Sequence, residues 1–398
     1  MKALEVLVAG AGIGGLAAAL ALARQGHRVT LLEKRTGFTE PGAGIQISPN
    51  ASRVLAGLGL GPAVKRASVE PDRVVVRRLR SGRTVGSIAL GAFMRQRFSA
   101  PYAVLLRADL HTLLLDAVRA DSGIQLRLGR AVTAIEDHPD RVTVTITRTG
   151  GEERLEADLL VGADGLWSAV RPLIGDARAP AFRGHAAWRA TLPREAVPAE
   201  LSGNETGLWL GRGAHVVHYP VAGGRLVNLV AVERRSEPLE GWSAQASRDE
   251  ILRRFAKIGP ALAALLAGPA AWGGWSLHDL PAQTMARGRT ALLGDAAHPV
   301  LPFLAQGGAL ALEDAATLAA TLAGHAGDVP AALRHYAAAR LPRVRTVQRH
   351  ARRNGRVYHA GWPVAPVRDA VIRHAGPEGM TERYAWLYGW APPEAGAG

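Results

Sequence analysis

The 398 residues contain no cysteine, which excludes disulfides, thiolate metal sites and cysteine nucleophiles and is compatible with a reducing compartment without requiring one. No apolar run approaches the roughly 18 residues of a membrane span. No export signal is expected from "MKALEVLVAGAGIGG", which has one lysine before apolar residues but glycines that break the run and a helical pattern that follows at once. A cytoplasmic location is expected on that ground. Lysine is scarce, so the formal charge of +14 is nearly all arginine, and it is scattered. The densest stretches, "RVVVRRLR" (73–80) and "RHARRNGR" (349–356), lack interleaved aromatics or a DNA-binding motif, which points to solvated faces and attraction of small anions rather than to nucleic acid. There is no internal repeat and no low-complexity linker.

What is present is an α/β chain rich in turns: 48% hydrophobic residues with 46 glycines and 24 prolines. Residues 4–9, "LEVLVA", read as a buried strand, "GIGGLAAALALARQG" as a helix closed by Gly26, and "HRVTLLEKR" as a second strand. That is the unit of a parallel sheet. A helix is expected from Pro49 to Leu58, an antiparallel hairpin turning at Ser81-Gly82, and a helix over 107–121. Strands follow from "IQLRLG" to "ADLLVGADG", then strand-like text from Arg183 to Trp275 interrupted by one helix from about Arg248 to Leu266. Strand "TALLGD" (290–295) and helix "GGALALEDAATLAATLAG" return to the first character, and a helical, arginine-rich tail closes the chain. The expected architecture is a Rossmann-like dinucleotide domain assembled from 1–72, 98–178 and 276–330. A β-rich substrate domain from 73–97 and 179–275 is inserted into it, and a helical segment covers 331–398.

"GAGIGG" puts Gly10, Gly12 and Gly15 at the G-x-G-x-x-G positions, with Ile13 and Gly14 inside the turn. The first two glycines allow the turn and close approach of backbone to a diphosphate, and the third lets helix pack on strand. Glu33, about 20 residues on, is placed for ribose hydroxyls, with Lys34 and Arg35 beside it. This fingerprint fits NAD or FAD. The far stretch "LLGDAAHPVLPFLAQGGALALEDA" (292–315) decides between them. FAD extends through a ribityl chain to an isoalloxazine ring and needs a second anchor: Asp295 is placed for ribityl hydroxyls, and the helix starting near Gly307 and Gly308 can aim free N–H groups at the flavin. An ordinary helix cap is the competing reading of Asp295.

Together "GAGIGG", "GADGLWSAVR" (162–171) and the 292–315 stretch resemble the single-component FAD-dependent aromatic hydroxylases, with the para-hydroxybenzoate hydroxylase fold. The likeness runs nearly end to end, through "RLPR" (340–343) to the "WLYGW" tail. It implies that Asp164, Gly165 and Arg171 serve FAD and NAD(P)H binding, although alone they read as a β-turn and a surface cation. It implies a flavin contact for Arg107, otherwise a helix-surface charge. "GAGIQISPN" (42–50) would be the loop along which flavin and substrate move, assigning Gln46 to the cofactor and Ile47 to the substrate pocket. Pro299 would shape the ring's surroundings, and His298 would support the loop.

The implied reaction uses NADH or NADPH and O2: reduced flavin forms a C4a-hydroperoxide whose distal oxygen passes to an electron-rich ring. In "GAHVVHYP" a strand puts His215, Val217 and Tyr219 on one face and His218 on the other. The segment resembles the substrate-facing strand of 3-hydroxybenzoate 6-hydroxylase and 6-hydroxynicotinate 3-monooxygenase, which assigns His215 as base and Tyr219 as substrate hydrogen-bond donor. Leu301, Pro302 and Phe303 would line the pocket where those relatives carry a polar residue. This is nearer to salicylate hydroxylase and leaves Gln306 as the nearest polar replacement. No metal is expected. The expected substrate is a phenolic or heteroaromatic acid, with the position hydroxylated and monomer versus homodimer left open. A flavin halogenase shares the fold, but its tryptophan signature and lysine are missing, and "WGGWSL" (272–277) is not that motif. A flavin or NAD-binding redox protein without oxygen chemistry is the reading from another class.

Overall fold

Glu5–Ala9 forms the strand its apolar run predicts, paired in parallel on both sides: Leu7 faces Thr30 of strand Arg28–Glu33 and Leu160 of strand Leu159–Gly162. A strand covered on both faces needs no alternation, which is why this one reads as continuous apolar sequence. The computed structural model describes residues 3–38, 43–148, 150–240, 244–325 and 327–393. Its nucleotide sheet runs Ile124–Leu128, Arg28–Glu33, Glu5–Ala9, Leu159–Gly162, Thr290–Leu292, Ala286–Arg287 in space. Only the last pair is antiparallel. Parallel strands end on the same edge, so the loops after Ala9, Glu33, Gly162 and Leu292 converge there, although nearly three hundred residues separate the first from the last. That edge is where α/β sheets bind ligands.

The helix Ile13–Ala23 returns across this sheet and lies against helix Gly307–Gly324. A Cβ at Gly14 would stand 2.7 Å from Leu293 Cδ1 and 3.1 Å from Ala311 Cβ. Gly14 is therefore a helix-packing glycine.

An eight-stranded sheet gathers Arg73–Arg78 and Thr84–Ala89 together with strands between 181 and 279. One of its faces packs on helices Arg248–Arg254 and Pro260–Ala267 through Trp188, Val216, Leu229, Ala231 and Trp272. The single helix expected over 248–266 is thus two. Pro260 has no N–H to continue a helix and occupies the first turn of a new one, after Gly259. The tail forms helices Val329–Tyr358, Val364–Glu382 and Ala385–Tyr388. The "RLPR" and "WLYGW" motifs meet: Arg340 and Arg343 each lie 5.5 Å from the centre of the Trp390 ring. Among the described residues no helix is long and apolar enough to cross a membrane.

Candidate active site

The glycine turn is built by sterics. At Gly10, φ is +104° and a Cβ would stand 2.5 Å from the Ala163 carbonyl oxygen. At Gly15 it would stand 1.8 Å from the Gly10 carbonyl oxygen. Gly12 differs: its backbone is extended, and a Cβ there meets nothing within 4 Å. The open volume lies at the N-terminus of Ile13–Ala23, whose first N–H groups have no intrahelical partner, as a diphosphate requires. Ile13 contributes only its backbone, since its side chain is in the core. Glu33 accepts from the Ala11 and Arg35 N–H groups, both at 2.9 Å, so it fixes the turn as well as standing at the ribose position. Lys34 and Arg35 are exposed at that strand end.

Two residues of "GADGLWSAVR" have tasks the sequence did not show. Asp164 accepts from Ser168 Oγ and from the Ala169 and Val170 N–H groups at 2.5, 2.7 and 3.1 Å, capping the short helix Val170–Leu173. Arg171 is buried and donates to the Ala296 carbonyl at 3.0 Å. Both side chains brace the loops around the cleft. Gly165, at φ +82°, faces open space.

Segment 294–308 is clamped from behind. Asp314 is fully buried and accepts from the Gly294 N–H at 2.9 Å, Arg340 Nε at 2.7 Å and His298 Nε2 at 2.5 Å. Glu313, beside it, takes Arg340 at 2.8 Å and Arg343 at 2.6 Å. Burial pushes the Asp314 carboxyl up, but His298, Arg340 and the Gly294 N–H outweigh it and hold the group at about 2. Pro299 is buried next to His298, with its carbonyl accepting from Gln348. The sequence signal for this clamp was two adjacent acids inside an otherwise apolar helix.

Asp295 points the other way. Its side chain is exposed on the cleft, while the surrounding walls raise its pKa by desolvation against the pull of His298 and Arg107. Arg107, first residue of helix Arg107–Ala120, feels Asp295 in return. Gly307 and Gly308 open the N-terminus of the following helix, with Gly308 closing on Ile45. Ala305 just before them is left-handed at φ +53°, a conformation that costs a non-glycine residue about 1 kcal/mol or more and is typical of functional loops.

The face of the eight-stranded sheet turned toward this segment carries His215, Val217 and Tyr219, as alternation predicts. His218 lies on the opposite face beside Trp209. Leu301 and Phe303 cover the sheet, clustering with Ala187, Val232 and Leu277, and Pro302 is half-buried between them. His215 Nδ1 lies 2.7 Å from His359 Nε2, a residue from the end of the tail helix Val329–Tyr358. Burial holds His215 well below the usual imidazole range, reinforced by His359 and His185. His359 is depressed to about 3, first by burial and then by His185.

Gln46, assigned to the cofactor, and Ile47 and Gln306, assigned to the pocket, meet other partners in the structure. Gln46 and Ile47 are neighbours on strand Gly44–Ile47 and so point to opposite faces. Ile47 is fully buried in the nucleotide-domain core and lines no cleft. Gln46 accepts from Tyr102 and hydrogen-bonds to Tyr219, so its partners are two tyrosines. Gln306 donates to Ser48 Oγ and accepts from Asn50 Nδ2, both at 3.0 Å. Its amide ties two helices together and does not replace a polar pocket contact. Gly42 of the mobile-loop reading lies outside the described residues. Tyr219 is buried under Gly44, its pKa pushed up to about 12 by burial despite Arg189 and Gln46. A separate depression of about 1120 Å³ beyond Leu106, between Arg194 and Arg225, contains none of these side chains.

Comparison with known proteins agrees with this geometry. A family described as "FAD binding domain" matches residues 3–351. The chain is 39% identical over 390 residues to 3-hydroxybenzoate 6-hydroxylase 1 of Aquipseudomonas alcaligenes, covering 97% of each chain. This chain belongs to the FAD-dependent aromatic hydroxylases. The hydroxylase is also 37% identical to 3-amino-4-hydroxybenzoate 2-monooxygenase PtnB3 of Streptomyces platensis, over 99% of this chain and 98% of the relative. Among solved structures it resembles Klebsiella pneumoniae HpxO complexed with FAD and uric acid, with a TM-score of 0.85 at 29% identity over 97% of this chain and 96% of that one.

FAD fits the residues present. Open space at Gly12 and an unpartnered helix start suit its diphosphate, and the exposed Asp295 beside Arg107 suits its polyol and ring. Both groups of residues lie at one edge of the parallel sheet.

Proposed function

We propose that this hydroxylase uses NADH or NADPH and O2 to add a hydroxyl group to the ring of a phenolic or heteroaromatic acid, with hydroxybenzoates as the first class to test. The names of the two curated relatives support that class and differ in the position attacked. The observation that carries the reading is the sheet face bearing His215, roofed by Leu301 and Phe303, next to the segment that carries Asp295.

FAD, when bound, takes a hydride from the nicotinamide and activates dioxygen for transfer to the ring. The protein's own part is to hold, orient and dry the site. Asp295, Arg107, the glycine turn and the Gly307–Gly308 helix start hold the cofactor, with Glu33, Lys34 and Arg35 at its ribose end. Ala187, Val230, Val232, Leu301 and Phe303 give the ring an apolar bed from which water is excluded.

His215 accepts the phenolic hydrogen. Its Nδ1 is engaged with His359, and its Nε2 has no hydrogen bond among the described residues, so Nε2 is the atom that faces a ligand. Nε2 is the accepting nitrogen in the neutral tautomer whose Nδ1–H donates to His359 Nε2. Being held far below the usual imidazole range, His215 takes a hydrogen bond from the phenol without storing the proton as a full charge. Tyr219 keeps its own proton and closes the other end of the bed as a neutral hydroxyl. A cytoplasmic location is part of the same proposal.

The test is a panel of hydroxybenzoates and hydroxypyridine acids added to the FAD-loaded protein, reading NADH and NADPH consumption and product mass. At least one acid should speed consumption and gain one oxygen atom. A panel in which no member does either rejects the reading.

A further inference from the structure

The cleft contains a cation that neither the fold nor the steps above use. Arg189 lies in strand Ala181–Pro193, whose alternation turns Trp188 and Ala190 to the helix-covered face and Ala187 and Arg189 to the cleft. Strand pairing fixes its surroundings row by row. Arg189 is level with Val230 and Val217, one row from His215, Val232 and Ala187, and one row from Tyr219, Asn228 and Thr191. Strands are about 4.8 Å apart, so the guanidinium springs from a point roughly 10 Å across the apolar bed from Val217, between the histidine row and the tyrosine row.

A guanidinium cannot lose its proton, and burying one without an anion or acceptor costs several kcal/mol. Elsewhere in this chain buried arginines meet oxygen: Arg340 has Asp314 and Glu313, Arg368 has Asp369, and Arg171 has the Ala296 carbonyl. Arg189 does not. No hydrogen bond or ion pair among the described residues reaches it, its Nε is buried without a partner, and its contact is the Trp275 ring, 5.2 Å away. A planar donor fork, stacked on an indole and aimed over an apolar bed, is matched to an oxyanion on an aromatic ring.

We propose that Arg189 binds the anionic oxygen of the aromatic ligand, carboxylate or phenolate, and so makes the cleft selective for aromatic anions. The proposal rests on reading the cleft as an aromatic-binding site and is separable from turnover. Because His215 and Tyr219 occupy the flanking rows, an anchor at Arg189 also fixes which ring edge turns toward each of them.

The experiment measures dissociation constants from ligand-induced changes in flavin absorbance of the FAD-loaded wild type, Arg189→Met and Arg189→Gln. The carboxylate arm compares benzoate with benzamide. The phenolate arm compares 4-nitrophenol, above its own pKa, with nitrobenzene. In the wild type the anion should bind more tightly than its neutral partner in at least one arm. Both substitutions should shrink that preference about 10- to 100-fold, the range for a charge-assisted hydrogen bond, and leave the neutral ligand within about threefold. The arm that collapses identifies the oxygen. A wild type without anion preference, or a preference unchanged in the variants, overturns the proposal, and loss of flavin from the variants with unchanged preference assigns Arg189 to the cofactor instead. Glutamine keeps hydrogen-bonding capacity and guards against a folding defect in the methionine variant. If aromatic anions bind as predicted but none is hydroxylated, the functional reading fails and this inference stands.

Discussion

Substituting Asp314 with asparagine should separate the clamp behind segment 294–308 from the fold at large. The side chain keeps its shape and can still accept from the Gly294 N–H, but it loses the charge that faces His298 and Arg340. Holding the carboxyl at about 2 instead of the ordinary 3.8, at 1.36 kcal/mol per pKa unit, amounts to about 2 kcal/mol of stability at neutral pH. The sign follows from the depressed value. The stabilisation is complete above the unfolded pKa near 4 and is lost as pH falls through about 2. Arg340 keeps Glu313 at 2.8 Å, so the cost should stay below the 3–5 kcal/mol typical of stranding a buried charge. Urea unfolding at pH 7 should show Asp314→Asn less stable by about 2 kcal/mol, and the gap should close toward pH 2. Flavin retention should fall with it, because Asp295 sits on the same turn as Gly294 and His298. Equal stability of the two proteins at pH 7, or a gap that does not depend on pH, refutes this account of the clamp.

Other expectations follow from single contacts. Gly12→Ala should fold as the wild type does and bind FAD more weakly, whereas Gly15→Ala, with its Cβ 1.8 Å from the Gly10 carbonyl oxygen, should lose both stability and cofactor; melting curves with flavin content distinguish them. Asp295→Ala should yield largely colourless protein of native secondary structure, and full yellow occupancy would remove the cradle assignment. His215→Gln should keep FAD while hydroxylated product per NADH falls and hydrogen peroxide replaces it. The hydroxylation rate should drop by about 10²- to 10⁴-fold, the range for general acid–base catalysis. Because burial depresses His215 well below 6.5, kcat/KM should show no acid limb near that pH; a limb centred there would mean that His215 protonates with an ordinary pKa in the free enzyme.

What could be read in the sequence was what local periodicity writes. The strand, glycine turn and helix at the start carry their pattern within thirty residues, and the alternation of "GAHVVHYP" placed His215 and His218 on opposite faces without tertiary information. What escaped depends on contacts distant in sequence. Gln46 and Ile47 were both assigned to the site, although a two-residue period allows only one of them to face it; which one depends on how strand Gly44–Ile47 lies on the core. Asp164, Arg171 and Gln306 are polar residues in motif positions, and a motif does not say whether a side chain meets the ligand or holds the loop that does. His359 lies 144 residues from His215, in a helix that reads as a charged tail. The signal for Arg189 is an arginine on the same face as Ala187 in the strand segment "HAAWRATL".

The account stands on oxygen from O2 reaching an aromatic ring in this cleft. Turnover of the responding hydroxybenzoate under isotopically labelled dioxygen, with the product weighed by mass spectrometry, tests that directly. One labelled oxygen atom on the ring for each NADH or NADPH consumed is the predicted result. Cofactor oxidation that leaves the aromatic acid unlabelled, with hydrogen peroxide as the only reduced-oxygen product, would contradict it.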